Sequence, residues 1–379
     1  MGTQSSRPIS SRPEDWAHLK TGTGAADLKP IAENLLRRVL GQEKAAHRLM
    51  TGFSRALSGL NDPNRPLLTA LLLGPTGVGK TETARALAEA LFGSDRAMTR
   101  VDGEEYAHGH EVSKLMGAPP GYVGHQVESL LTQRRINAPH RALRESPETA
   151  APGKRGFADR ICGGDAECFV SLVLFDEIEK ADPKVWSGLL GILDEGVVTL
   201  GDNTTTDFRH SIILMTSNVG SQEMAHYADH RPLGFGGGKT TTPGDVEELA
   251  RTAARNHFPP EFLNRFDEVL VYRPLERETL EGIFDKFLDE LHARAMNNAG
   301  IPLPIKVSDE ARELVLEAGI DRRFGARPLR RAFEREVVGP LSDLIAAEIL
   351  AKGDVVHVER EEDRLEFYRS RRSGSKLVA

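Results

Sequence analysis

Residues 67–81 read LLTALLLGPTGVGKT, an apolar run of strand length that passes directly into Gly74-Pro75-Thr76-Gly77-Val78-Gly79-Lys80-Thr81. Beyond it, Ala84, Leu87, Ala88, Leu91 and Phe92 fall on one face of a helix. G-x-x-x-x-G-K-T between a strand and a helix is a phosphate-binding loop. Its glycines let backbone N–H groups turn inward around phosphate oxygens, at a helix N-terminus that already favours anions. In that frame Lys80 brings a point charge to the β- and γ-phosphates of ATP, and Thr81 offers a hydroxyl to Mg2+. The Gly-rich stretch GFGGGKT at 234–240 fails the same test, because its first required glycine falls on Leu233 and no strand precedes it.

The loop commits the chain to an α/β fold, and the remaining pattern agrees. AMTRVD (97–102), FVSLVLF (169–175), SIILMT (211–216) and EVLVYR (268–273) are short apolar runs separated by helix-like stretches. Such runs predict a parallel sheet buried on both faces. After Pro274 helical segments dominate (277–297, 308–318), with two strand-like pieces, 354–360 and 363–369, at the end. The expected organisation is a flexible N-terminal arm (1–34), a large ATPase domain (35–273), a smaller, mainly helical lid domain (274–370) and a tail (371–379). Stretches 137–168 and 232–244 read as surface loops.

A second apolar strand ends in Asp176-Glu177. Beside a phosphate loop, Asp176 is placed to hold Mg2+ and Glu177 to polarise the attacking water as a general base. A third strand ends Thr216-Ser217-Asn218, where the Asn218 amide is placed to orient the same water. The chain carries 49 Lys and Arg against 56 Asp and Glu, a net −7. That acidic balance argues against a nucleic-acid coat. Two cysteines in 379 residues do not build a disulfide scaffold. No apolar run approaches the ~18–20 residues that span a bilayer. The N-terminus lacks the apolar core of a secretory signal, and its M-G-x-x-x-[ST] match through Gly2 and Ser6 is a short pattern common by chance. A reducing, cytoplasmic compartment is the expectation.

In order along the chain stand VLGQ (39–42), GPTGVGKT, GEEY (103–106), KLMGAPPGYVG (114–124), LFDEIEKADP (174–183), LLGILDEG (189–196), TSNVGS (216–221), FPPEFLNRFDEV (258–269) and GARPLRR (325–331). This series resembles the second ATPase module of the Clp/heat-shock AAA+ unfoldases, over roughly residues 35 to 360. The resemblance implies a P-loop AAA+ ATPase working as a homo-oligomer, a ring of six. It implies that Arg265, in FLNRFDE, reaches the γ-phosphate of a neighbouring subunit, and that Arg327, in GARPLRR, senses nucleotide from the lid. Val39 and Leu40 match the apolar lining of the adenine pocket. Gly121-Tyr122-Val123-Gly124 matches a pore loop whose aromatic grips a translocating polypeptide. Leu233-Gly234-Phe235 matches the tripeptide that docks a ClpP-like peptidase.

Two departures accompany the resemblance. After the pore loop the family continues with an aromatic and a Gly-Gly pair, whereas this chain has His125-Gln126-Val127-Glu128-Ser129. The stretch from Thr132 to Phe169 is longer than the family pattern, and residues 133–160 hold seven basic against three acidic side chains. It reads as a solvated loop or as a basic collar behind the pore. Cys162 and Cys168 lie six apart at its end, a weak zinc signal and a candidate redox pair. Arg265 could also be a surface arginine paired with Asp267 or Glu268. The sequence offers no protease machinery, neither G-x-S-x-G nor H-E-x-x-H. The leading expectation is an ATP-driven unfoldase or remodelling chaperone acting on polypeptide. A regulatory AAA+ switch acting on one dedicated partner also suits a chain without a folded N-terminal substrate domain or a first ATPase module. A nucleic-acid motor shares the P-loop and a hairpin such as VVTLGDNTTTDF (197–208), but the acidic total and the GYVG loop oppose it.

Overall fold

The computed structural model of the chain describes residues 26–109, 111–117, 129–145, 156–224, 243–298, 303–321, 324–350 and 354–371. Two helices, α1 (Lys29–Arg38) and α2 (Glu43–Ser58), precede β1 (Leu68–Leu73). The phosphate loop then opens α3 (Lys80–Phe92), followed by β2 (Thr99–Asp102) and α4 (Val112–Met116). Helices α5 (Gln133–Glu145) and α6 (Phe157–Ile161) lead to β3 (Ser171–Asp176) and α7 (Pro183–Glu195). A hairpin, β4 (Val197–Thr199) with β5 (Thr205–Asp207), comes before β6 (Ser211–Ser217). Helices α8 (Pro243–His257) and α9 (Pro260–Leu263) lead to β7 (Glu268–Val271).

Among the described residues β2, β3, β6, β1 and β7 form one parallel sheet in that order. Every residue of β1, β3 and β6 is buried, as expected of strands covered on both faces. Alternate side chains leave a strand on opposite faces. Accordingly Leu72, Leu174 and Leu214 join one apolar cluster, and Leu71, Val173 and Ile213 the other. Because β6 lies between β1 and β3, the carboxyl ends of three neighbouring strands stand side by side. Ligands of open parallel sheets bind at such an edge.

The C-terminal part begins with α10 (Arg277–Asn298), β8 (Ile305–Val307), α11 (Asp309–Gly319) and α12 (Arg327–Phe333). A short π-helix, Glu334–Val338, carries the chain into α13 (Gly339–Ala346), and β9 (Asp354–Glu361) and β10 (Arg364–Arg371) follow. Both strands foreseen in the sequence are present and antiparallel; β8, only three residues long, adds a parallel edge that its proline-flanked sequence concealed. Phe284 and Phe333 meet edge-on at 5.4 Å inside this part. Among the described residues no helix is long and apolar enough to cross a membrane.

Where it is described, at 137–145 and 156–168, the stretch 137–168 differs from the surface loop expected of it. Helix α5 runs through Pro139 and buries Ile136, Asn137 and His140, while α6 buries Phe157 and Ala158. The inward face of α5 is built largely from an Asn and a His, so no apolar period was visible beneath the basic residues. His140 Nδ1 accepts the backbone N–H of Val170 at 2.9 Å. Burial, helped by the Arg144 charge, pushes His140 down to about 4 against the pull of Asp159. Several of the basic side chains are engaged locally rather than forming a free collar. Arg144 lies over the Phe169 ring and donates to the carbonyls of Asp165 and Ala166, and Arg160 pairs with Asp27. Cys162 and Cys168 are joined as a disulfide with Cα atoms 5.4 Å apart. This removes the zinc reading, and among the described residues no group of three or more His, Cys, Asp or Glu side chains gathers as a metal site.

Candidate active site

Lys80 opens α3 and is buried beneath the phosphate loop. Its Nζ donates to the carbonyls of Gly74 and Pro75 at 2.5 and 2.6 Å and to Asn218 Oδ1 at 2.8 Å. Burial pushes its ammonium down to about 8, against the pull of Glu179, Asp176 and Glu177. A phosphate group arriving in the loop would supply the negative charge that this ammonium lacks.

The loop is also the seat of the C-terminal part. Gly77 has φ +75°, and a Cβ there would stand 2.4 Å from the Phe324 carbonyl. Reciprocally, Gly325 has φ +57°, and its Cβ would stand 2.5 Å from the Gly77 carbonyl. The Ala326 N–H donates to that same carbonyl at 3.0 Å. Two backbones can approach this closely only where neither carries a side chain. Arg327, next in sequence, lies against Gly77, and its charge reaches both Lys80 and Glu177. A second tie joins α10 to α3, where Lys286 and Arg38 share Glu82 Oε1 at 3.0 and 2.9 Å. Gly325→Ala should therefore push the C-terminal part off the loop at a cost of about 1–3 kcal/mol, the usual range for overpacking. A nucleotide titration beside a thermal melt checks this: affinity should fall more than the melting temperature implies, and unchanged affinity would disprove the docking role.

At the ends of β3 and β6 the acidic and polar candidates meet. Thr81 Oγ1 donates to Asp176 Oδ1 at 3.0 Å and Thr216 Oγ1 to the same oxygen at 2.6 Å. Arg100, on β2, approaches Asp176 Oδ2 at 2.8 Å. Glu177 takes the left-handed conformation at φ 53°, unusual for a residue with a side chain. Its N–H donates to Thr216 Oγ1 at 2.9 Å, and its Oε1 accepts from Asn218 Nδ2 at 3.3 Å. Burial alone would raise the Glu177 carboxyl, but Lys180, Asn218 and Arg327 outweigh it and hold it below its ordinary range. Asn218 thus bridges Lys80 and Glu177, as its strand between β1 and β3 dictates. Thr81 and Asp176 together present hard oxygen donors beside the phosphate loop, the set that suits Mg2+.

The other candidates fall elsewhere. Val39 is buried with its Cγ1 3.1 Å from where a Gly79 Cβ would be, and Leu40 lies against Gly282 of α10. Both line the seam between the loop and the C-terminal part. Arg265 stands apart from the cleft. Its guanidinium pairs with Asp194 at 2.8 Å, not with Asp267 or Glu268, which instead bond Arg65 and Thr69, and Arg48. The Arg265 carbonyl accepts from Arg65 and from Thr69, at the amino end of β1, whereas the phosphate loop follows its carboxyl end. Gly121-Tyr122-Val123-Gly124 and Leu233-Gly234-Phe235 lie outside the described residues.

Three charged neighbours were missed by sequence reasoning. Lys180 bridges Glu177 and Glu104 at 2.6 and 2.8 Å, and Arg100 holds Asp176. Lys180 follows Glu177 by three residues, a spacing that a 3-10 turn brings to one side. Arg100 and Glu104 come from a different strand end, so only the sheet order reveals them.

A phosphate loop backed by buried lysine, faced by an acidic and a polar strand end and closed by a second domain's backbone, is the arrangement of a P-loop ATPase. The model of the AAA domain (Cdc48 subfamily) matches residues 65–143 and 147–269, and that of the C-terminal, D2-small domain, of ClpB protein matches residues 275–358. The chain is 39% identical over 342 residues to the ATP-dependent Clp protease ATP-binding subunit ClpC of Staphylococcus aureus (strain USA300), covering 89% of this chain and 37% of the relative. It is 39% identical over 334 residues to the protein of the same name from Staphylococcus epidermidis (strain ATCC 12228 / FDA PCI 1200), covering 87% and 36%. The chain spans a little over a third of the length of these curated relatives. It belongs to the Clp/Hsp100 family of AAA+ ATPases.

Proposed function

We propose that the chain is an ATP-dependent protein unfoldase or remodelling chaperone, working in the cytoplasm as a homo-oligomeric ring, a hexamer, that threads polypeptide through its pore. The observation that carries the ring is the placement of Arg265. Its backbone is pinned at the amino end of β1, a six-residue strand. Thr69 precedes Gly74 by five residues, so at ~3.3 Å per residue the phosphate loop at the other end is roughly 17 Å away. An arginine so placed serves the phosphates of another copy, not its own.

In this reading the ATPase domain takes in all of α1, whose Ile31 and Leu35 are buried in the core. The arm expected over residues 1–34 therefore stops short of that helix, and the domain runs over 29–273, with 274–370 as the lid. Lys80 and the loop amides hold the β- and γ-phosphates, and Val39 and Leu40 line the adenine side. Thr81 and Asp176 would hold Mg2+, which when bound neutralises charge on the phosphate oxygens. Glu177 takes the proton of the attacking water and Asn218 orients that water. Arg327 completes the cleft from the lid, and Arg265 of a neighbouring subunit stabilises the charge that develops in transfer. Tyr122, within Gly121–Gly124, grips the polypeptide. The relatives are named as ATP-binding subunits of a Clp protease, and docking of a ClpP-like peptidase through Leu233-Gly234-Phe235 belongs to the same proposal.

The deciding experiment measures ATP turnover with and without an unfolded model protein, in the unaltered chain and in Tyr122→Ala. Polypeptide should stimulate the unaltered chain, and the variant should hydrolyse ATP without responding. Turnover indifferent to polypeptide in both proteins would overturn threading and leave a partner-specific ATPase.

A further inference from the structure

The ammonium of Lys180 stands between two carboxylates, 2.6 Å from Glu177 Oε2 and 2.8 Å from Glu104 Oε2. The other Glu177 oxygen accepts from Asn218, so both oxygens of the proposed base are engaged. A general base must offer a lone pair to the water it activates, and an oxygen held by an ammonium is a poor acceptor for that proton.

The backbone cannot relieve this. Glu177 is fixed by the bond from its N–H to Thr216, and its carbonyl is packed so closely on Gly103 that a Cβ there would stand 2.3 Å away. What freedom remains lies in the side chain, and Lys180 governs it. Glu104 follows Gly103 on the turn Gly103–Tyr106 and is largely exposed.

Resting on Glu177 as the base, we infer that Lys180 is a positioning residue that holds Glu177 off the attacking water, and that Glu104 is the competing carboxylate that draws the ammonium away. One ammonium shared by two carboxylates has a signature that a merely structural cluster lacks. Removing the ammonium frees Glu177, whereas neutralising Glu104 leaves the ammonium to Glu177 alone. The two substitutions therefore act in opposite directions. Both side chains are substantially solvent-exposed, 42% for Lys180 and 71% for Glu104, so neither change empties the core.

The test is steady-state ATP turnover of the full chain as Lys180→Met, Lys180→Arg, Glu104→Gln and Glu177→Gln, with binding of a fluorescent ATP analogue measured alongside. Lys180→Met should raise kcat, and Glu104→Gln lower it, by about two- to fivefold each, the range over which a half-exposed ion pair shifts an equilibrium. KM and analogue affinity should stay within about twofold, since ground-state binding is untouched. Lys180→Arg, which keeps the charge, should lie near the unaltered chain. If Lys180→Met slows turnover, or if it and Glu104→Gln move kcat in the same direction, the inference is overturned even though Glu177→Gln is inactive. A Glu177→Gln that still turns over would instead remove the reading of Glu177 as the base.

Discussion

Glu177→Gln should bind ATP as tightly as the unaltered chain and fail to hydrolyse it, with kcat reduced by about 10²–10⁴, the usual contribution of a general base. Glutamine matches glutamate in volume and keeps an oxygen that can accept the Asn218 amide proton, so the geometry around φ 53° has no reason to change. What disappears is the ability to take a proton. The ion pair with Lys180 is also lost, but that side chain is 42% exposed and keeps Glu104. Exposed pairs contribute at most ~1 kcal/mol, too little to account for a loss of two decades or more. Single-turnover hydrolysis, read beside binding of a fluorescent analogue, separates the two quantities. The expected result is unchanged affinity with a collapsed chemical step. Turnover within a few fold of the unaltered chain would assign the proton to another group.

Much of this centre was legible in the sequence because its parts sit at strand ends marked by abrupt changes of character. Leu73 to Gly74, Phe175 to Asp176 and Thr216 to Asn218 each pass from buried apolar strand to polar loop. Any fold that satisfies those strands in parallel brings their carboxyl edges together. What the sequence did not disclose depends on neighbours distant along the chain. Arg100 reaches Asp176 only because β2 pairs with β3, and Glu104 reaches Lys180 for the same reason. Asn218 touches both Lys80 and Glu177 only because β6 is inserted between strands that precede it in sequence. Helix α5 was hidden for another reason. Its buried face relies on His140, held by a backbone N–H from Val170, and a hydrogen-bonded polar residue leaves no hydrophobic period. The alternative pairing of Arg265 with Asp267 or Glu268 does not form, because the turn commits Asp267 to Thr69 and the guanidinium meets Asp194.

Arg265→Ala should abolish turnover while leaving nucleotide affinity nearly intact, with a loss of about 10³–10⁵ in rate, the contribution of an arginine supplied to a phosphoryl-transfer site. On the energy scale that is ~4–7 kcal/mol, at 1.36 kcal/mol per tenfold. In the isolated chain the guanidinium is parked on Asp194, with the two side chains 42% and 40% exposed. Such a pair contributes at most ~1 kcal/mol, so releasing it toward a neighbouring phosphate is a small cost against that gain. The placement also predicts a result that no role within one subunit can produce. Arg265→Ala subunits retain Glu177, and Glu177→Gln subunits retain Arg265. Mixed, two inactive proteins should recover activity wherever a Glu177→Gln subunit offers its arginine to an Arg265→Ala neighbour. In a head-to-tail ring each site faces one neighbour, so a random equal mixture completes roughly a quarter of its sites. An arginine acting on its own phosphates would leave every subunit with one missing group, and the mixture would stay as inactive as its parts. Recovery on mixing therefore places the arginine in trans, and continued silence places it in cis.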